Sequence, residues 1–450
     1  MTIFYCAKLE RDYSSHSILV DISGMKSPAM CAWPILYRDA GGWGAETLNH
    51  RVSVVEGRVP VLCVWVASSL SGWGVYGLNL AQQWATDAEV RPVFIAVSDS
   101  LRLDPLRAAR LEVVLGESAA VARELRERSD HDLPVEGIAI HALGNGLRGR
   151  PVRIKANAHL ASVFLEDTAL DADARSRAAR FELFIAGSRW NAELLRAAGI
   201  EPVACVLQGI DPSLFHPAPA SGLFGNRFLV FSGGKLEPRK GQDLVLKAFK
   251  LFASRHPEAV LVTAWHSPFP MLAAAVGREY GLSPVPFNEQ GGIEVVRWAV
   301  ANGLKEHQIF DAGLVDNAMM PMVLREMNAA LFMNRCEGGT NLAAMECMAC
   351  GIPTILSGNT GHLDLARDGA SIVLKRQGRP RAPEGIHGIE GWGESDEEEA
   401  AMALESIYSD RAKAAEIGRR GAALLAELSW ARQMGLLKAA IRPFLRRQIF

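Results

Sequence analysis

The chain is short of the features that mark exported, membrane-embedded or nucleic-acid-coating proteins. Its seven cysteines are an odd count scattered mostly inside apolar runs, which excludes a disulfide framework and predicts a reducing compartment. No stretch approaches the ~18 consecutive apolar residues of a membrane span. The opening Met1-Thr2-Ile3-Phe4-Tyr5-Cys6-Ala7-Lys8 lacks the apolar core of a secretory signal, so a chain neither exported nor membrane-spanning is expected. Excess charge of one sign is missing too: 48 Lys and Arg face 50 Asp and Glu, so no global positive field draws the chain to nucleic acid. What remains is ordinary globular material, 49% hydrophobic and 22% charged, and 450 residues are enough for two or three domains.

From residue 59 onward, short β-branched runs alternate with longer helical periods, the pattern of parallel sheets flanked by helices. Strands are expected at residues 61–66, 92–97, 137–141, 161–165 and 180–186. After a break they recur at 228–232, 259–264, 329–333 and 354–357. Helices are expected at residues 241–254, about 271–280, about 294–302 and 342–350. The break, Gln208-Gly209-Ile210-Asp211-Pro212 through Pro217, Pro219 and Gly222, reads as an interdomain linker. Two α/β domains of similar size follow: residues 1–215, within which 1–55 are an unplaced extension with one strand-like run at 18–22, and residues 216–432. Residues 433–450 form a terminal helix. Its Lys438, Arg442, Arg446 and Arg447 among apolar neighbours suit either an anionic lipid surface or a return across the domain boundary. Residues 378–393, rich in Gly, Pro and charge, read as a surface loop.

Two such domains create a cleft at the C-terminal ends of their sheets, a favoured nucleotide site. Three features fall there. Gly233-Gly234-Lys235-Leu236-Glu237-Pro238-Arg239-Lys240-Gly241 lies between a strand and a helix. Its glycines permit close approach, and Lys235 and Lys240 put ammonium groups near a helix N-terminus, which suits a diphosphate or, more simply, a solvated basic turn. In Glu337-Gly338-Gly339-Thr340-Asn341-Leu342-Ala343-Ala344-Met345-Glu346 the glycines can present amides at the start of the next helix. Glu346 can accept from a ribose diol and Glu337 from sugar hydroxyls, unless both carboxylates are structural. Arg335, just before them, adds a cation. The third feature, Gly72-Trp73-Gly74-Val75-Tyr76-Gly77 with Asp99 after the next strand, fits the GxGxxG of dinucleotide binders or tight helix–strand packing without a ligand.

The combination resembles the GT-B glycosyltransferases of family 4, in which cations five residues apart precede two glutamates separated by seven residues. The resemblance covers about residues 135–435. It includes Gly209-Ile210-Asp211 with Phe215 and Pro217, Lys240-Gly241, Glu346-Cys347-Met348-Ala349-Cys350-Gly351-Ile352-Pro353, and Trp430. This chain departs in having Lys235 where the family has Arg, and eight residues between Glu337 and Glu346. The resemblance implies a GT-B fold, two Rossmann-like doubly wound domains facing each other across a cleft. It implies a cytoplasmic hexosyltransferase-type enzyme, free of metal and cofactor, that moves a sugar from a nucleoside diphosphate donor to a hydroxyl of an unidentified glycan or glycolipid with retention, in surface polysaccharide or glycolipid synthesis.

By the same resemblance His141 and Glu337 are catalytic, and Gly234, Lys235, Lys240, Gly338, Gly339, Thr340, Asn341, Leu342 and Glu346 bind the donor. Gly72, Gly74, Glu166 and His362 line the acceptor side or the cleft. Asp167 shares the strand end with Glu166, and Ser188 reads as a helix cap. The spacings Asp130-His131-Asp132 and Asp171-Ala172-Asp173 match metal-binding DxD sequences but sit in solvent-facing surroundings, and Cys347 with Cys350 reads as a pair of buried helical thiols. No metal and no nucleic-acid partner are expected; contact with the inner face of a membrane is a further expectation. Two other functions remain open: an NAD(P)-dependent oxidoreductase using residues 72–77, and a non-catalytic sugar-nucleotide or glycan-binding protein.

Overall fold

The computed structural model describes residues 51–127, 131–267 and 269–446; the strand expected at 18–22, Asp130 and Arg447 lie outside them. Two six-stranded parallel sheets organise the chain. The first contains β1 (Val59–Ala67), β2 (Val90–Val97), β3 (Leu133–Leu143), β4 (Ile154–Val163), β5 (Leu183–Ala186) and β6 (Val203–Cys205), in the order β2-β1-β3-β4-β5-β6. The second contains β7 (Leu229–Gly233), β8 (Val260–Ala264), β9 (Ile309–Asp311), β10 (Ala329–Phe332), β11 (Thr354–Ser357) and β12 (Ile372–Leu374), in the order β12-β11-β10-β7-β8-β9. Helices cover both faces, so the central strands are apolar on both sides and read in sequence as unbroken hydrophobic runs.

Strand order decides where a ligand can sit. In the second sheet the connections run one way from β7 to β8 and the other way to β10, so a crevice opens at the C-terminal ends of β7 and β10. The loops leaving those two ends are residues 234–241 and 333–341. In the first sheet the same reversal lies between β1 and β3, next to the chain entering the helix Gly72–Trp84.

The two halves are tied together at the chain crossings. Ile210 N–H donates to Leu428 at 2.8 Å, and Trp430 N–H returns a bond to Ile210 at 3.0 Å. The helix Trp430–Leu445 then crosses to the first sheet. Its Trp430, Met434, Leu437, Ile441 and Phe444 share a core with Val61, Tyr76 and Leu80, an apolar stripe at helical spacing. Lys438 pairs with Asp87 at 2.8 Å and Glu89 at 2.9 Å, and Arg442 with Glu89 at 2.8 Å, so these two cations face protein carboxylates rather than lipid. Ile441 is 0% exposed. Ile441→Ala is expected to cost about 2–5 kcal/mol through lost burial and the cavity left behind, measurable as a fall in the urea midpoint.

Three local expectations change. Residues 72–77 belong to the helix Gly72–Trp84 itself, capped by Ser71, whose hydroxyl accepts from the Gly74 amide at 3.1 Å. A 23-residue helix, Pro105–Glu127, covers β2 where no element was anticipated. Residues 378–393 are not a free surface loop but a brace between the halves. Asp167 accepts from the amides of His387 at 3.0 Å and Gly388 at 2.8 Å, and the Trp392 indole donates to the Glu166 carbonyl at 2.9 Å.

Candidate functional site

After β7 the chain turns at Gly234, where φ is +115°, and folds back on the helix Gln242–Ala253: Gln242 Nε2 donates to the Lys235 carbonyl at 2.7 Å. Leu236 is fully buried and anchors the turn. The charged residues around it are thereby directed to the end of β10. Lys240 Nζ lies 2.5 Å from Glu337 Oε2, which also accepts from Asn334 at 2.9 Å. Arg239 lies 3.4 Å from Glu337, 2.6 Å from Glu237 and 3.3 Å from Glu166 of the first half. Burial pushes the Glu337 carboxyl up, but Lys240 and Arg239 outweigh it and bring the pKa to about 2, so the group is ionised. Burial raises the Glu166 carboxyl, with Arg239 offsetting only part of the rise.

Lys235 plays a smaller part. Its side chain is 42% exposed, 3.5 Å from Glu237 and over the Phe269 ring. The guanidinium that Lys235 lacks is supplied beside the cluster by Arg239. Arg335, counted from sequence among the cations of this site, is corrected to a structural role. It is 1% exposed, held by Asp243 at 2.6 Å and Glu394 at 2.5 Å, and stacked on Tyr280. An ion pair so enclosed has no charge left to offer a ligand.

Glu346 occupies a separate environment on the helix Leu342–Ala349. It is buried, its carboxylate accepts from Asn317 Nδ2 at 2.5 Å, and burial pushes its pKa up to about 8 despite that bond. Asn317 in turn donates its amide to the Ser69 carbonyl at the end of β1, at 3.3 Å. Between the two glutamates, Gly338 and Gly339 pass so close to the first half that an added Cβ would lie 2.6 Å from the Leu165 carbonyl and 2.8 Å from Gln208 Oε1. The amide of Thr340, expected to face a diphosphate, donates to Gln208 Oε1 at 3.2 Å, as does the Thr340 hydroxyl. Ser188 both caps its own helix and donates to the Gly338 carbonyl at 2.7 Å. Asn341, with φ +64°, ends the turn and donates to His362 Nε2 at 3.0 Å; Leu342 opens the helix.

The remaining residues fall in two places. His362 is fully buried beside Glu337, Lys240 and Arg239, and burial brings its pKa to about 4, so its ring is neutral near pH 7. His141 instead meets His159 at 3.0 Å and the edge of Phe181, with burial and His159 bringing its pKa to about 4. The charges acting on His362 are those of the Glu337 cluster, whereas the one acting on His141 is His159. Gly72 begins its helix, and a Cβ on Gly74 would lie 2.7 Å from the Ser68 carbonyl, so the glycine pattern there serves helix–strand contact. Asp167 holds the brace, Asp171 caps a helix, and Cys347 and Cys350 are buried free thiols. Arg239 was counted from sequence among the cations around the diphosphate site, whereas Gln208 and Asn317 were not singled out as ligand-binding residues.

A search of curated proteins finds no match. The arrangement of the two sheets is nonetheless shared with solved glycosyltransferases. HepE from Anabaena in complex with UDP-glucose is 13% identical, with a TM-score of 0.57 over 86% of this chain and 100% of that one. Sucrose-phosphate synthase from Thermosynechococcus elongatus is 15% identical, with a TM-score of 0.56 over 86% and 100%. α,α-Trehalose 6-phosphate synthase from Burkholderia multivorans is 14% identical, with a TM-score of 0.53 over 86% and 98%. At such identities the likeness establishes the fold, GT-B. The profile of the family described as glycosyl transferases group 1 matches residues 218–423, the half that carries the cation cluster and both glutamates. Residues 218–423 thus match glycosyl transferases group 1, within a chain whose overall fold is GT-B.

Proposed function

We propose that the protein transfers a hexosyl group from a nucleoside diphosphate sugar to an acceptor hydroxyl, with retention of configuration and without metal or cofactor. The observation that carries this reading is the cluster of Lys240, Arg239 and Glu337 at the strand-order reversal of the second sheet, with Glu346 buried nearby in the same half. The acceptor oxygen bonds to the anomeric carbon as the bond from that carbon to the diphosphate breaks, and the departing phosphate oxygen takes the acceptor's proton. Negative charge grows on the diphosphate during this step. Lys240 and Arg239 would stabilise it in a site screened from water, where fixed charges act most strongly. Glu337 orients Lys240 and reaches sugar hydroxyls; Glu346 receives the ribose diol. His362, neutral and next to Glu337, is better placed by its surroundings than His141 to face the donor sugar.

HepE was solved with UDP and with UDP-glucose, which makes uridine nucleotides the first donors to try. The acceptor is expected to be a glycan or glycolipid precursor. Incubation with UDP- and GDP-sugars alone should give slow donor hydrolysis, missing in Glu346→Ala. Thermal stabilisation by NAD and by no nucleoside diphosphate would overturn the reading in favour of a dehydrogenase.

A further inference from the structure

Two oxygens of the first half rest on donor groups assigned above to the diphosphate. Glu166 Oε1 lies 3.3 Å from the Arg239 guanidinium, and Gln208 Oε1 accepts from both the amide and the hydroxyl of Thr340. They come from different segments, one following β4 and the other opening the linker, and both are largely enclosed: the Glu166 side chain is 20% exposed and Gln208 is 7% exposed. The backbone behind Glu166 is fixed, since its amide donates to Asn145 Oδ1 at 2.9 Å and its carbonyl accepts from Trp392.

Charge explains why these contacts matter. Lys235, Arg239 and Lys240 are matched by Glu166, Glu237 and Glu337, so the cluster as it stands is neutral. A diphosphate approaching a neutral cluster meets as much repulsion as attraction. Glu237 and Glu337 belong to the same half as the cations and move with them. Glu166 reaches the cluster from the other half, and burial, which works against all three carboxylates, is outweighed by neighbouring cations at Glu237 and Glu337 but not at Glu166, so Glu166 is the anion that can leave.

We propose that Glu166 and Gln208 are built-in stand-ins for the diphosphate: their oxygens occupy Arg239 and Thr340 until a nucleoside diphosphate displaces them, so donor binding and release of these cross-domain contacts are one event. This rests on the function proposed above and adds a competing internal ligand to it. It also assigns Arg239 as a phosphate-binding guanidinium, in place of the one Lys235 does not provide.

The test is calorimetric titration of the full chain and its variants with inorganic pyrophosphate, which needs no knowledge of the base, and with UDP and GDP. Glu166→Gln removes the charge and keeps the shape, and should tighten pyrophosphate by about tenfold. Gln208→Ala should tighten it less, and Arg239→Ala should weaken it. Asp316→Asn serves as the control, because it weakens another contact between the halves, the pairing of Asp316 with Arg102 at 3.3 Å and Ser69 at 3.2 Å, away from the cluster. Unchanged or weaker binding in Glu166→Gln would overturn the proposal, as would equal tightening in Asp316→Asn, which would indicate general loosening instead of charge exchange. Absence of binding to pyrophosphate, UDP and GDP in every variant would overturn the assignment of the diphosphate site itself. A lower melting temperature in Glu166→Gln with unchanged affinity would leave it a purely structural contact. If Gln208→Ala fails to fold, the Glu166→Gln and Asp316→Asn comparison decides alone.

Discussion

Lys240→Ala is expected to reduce sugar transfer by about 10²–10³ through loss of charge stabilisation at the diphosphate. It is also expected to weaken the fold, because Glu337 is buried and Lys240 is its nearest cation. Removing one partner of a buried ion pair typically costs about 3–5 kcal/mol, since the other charge is left without compensation. Arg239 and Asn334 still touch Glu337, which places the effect toward the lower end. The two losses can be separated. In the double variant Lys240→Ala with Glu337→Gln, no carboxylate is left stranded, so most of the stability should return while transfer stays low. Urea unfolding and single-turnover transfer, measured on both variants, give the answer. A double variant that regains activity along with stability would reduce Lys240 to a structural counter-ion.

This coupling was invisible in the sequence, and the reason is general. Short-range signals were legible: β7, β8, β10 and β11 are buried on both faces, so their apolar runs announced themselves, and the glycine turns before the helices Gln242–Ala253 and Leu342–Ala349 marked the strand ends that matter. The helix Pro105–Glu127 was not, because only a narrow stripe of it is buried, Leu111, Val114, Ser118, Val121 and Ala122, with a serine in the middle. That serine is enclosed because its hydroxyl accepts from the Phe94 amide and donates to the Val114 carbonyl, pairings that no hydrophobic pattern encodes. The site shows the same division. Lys240, Glu337 and Glu346 could be located by spacing, but the partners of each charge could not. Glu166 meets Arg239 across 73 residues and Gln208 meets Thr340 across 132. Arg335 was misread for the same reason: counting cations ignores Asp243, which neutralises it from the helix Gln242–Ala253, 92 residues earlier in the chain.

Glu346 gives the largest expected dependence on pH. Its folded-state pKa of about 8 stands above the ordinary 4.5, so between these values the folded chain holds a proton that the unfolded chain has lost. The contribution to stability is therefore complete below pH 4.5, declines by about 1.4 kcal/mol per pH unit as pH rises, and is gone above 8. Glu346→Gln cannot ionise. It should match the native chain near pH 5 and be the more stable of the two near pH 9, by about 3–5 kcal/mol, in urea unfolding. Binding runs the other way. A ribose diol donates two hydrogen bonds and favours the carboxylate over the acid, so deprotonation, which weakens the fold, strengthens the site. Nucleoside diphosphate affinity of the native chain should rise by up to about tenfold per unit as pH approaches 8 and then level off, a dependence absent from Glu346→Gln. Ionisation of the phosphates is common to both proteins and drops out of the comparison. Asn317 sits at the centre of this exchange: its amide now supplies a hydrogen bond that the ribose would supply in the complex. A flat difference between the two proteins from pH 6 to 8 would remove the ribose role from Glu346 and leave it a buried acid that serves the packing of the helix Leu342–Ala349.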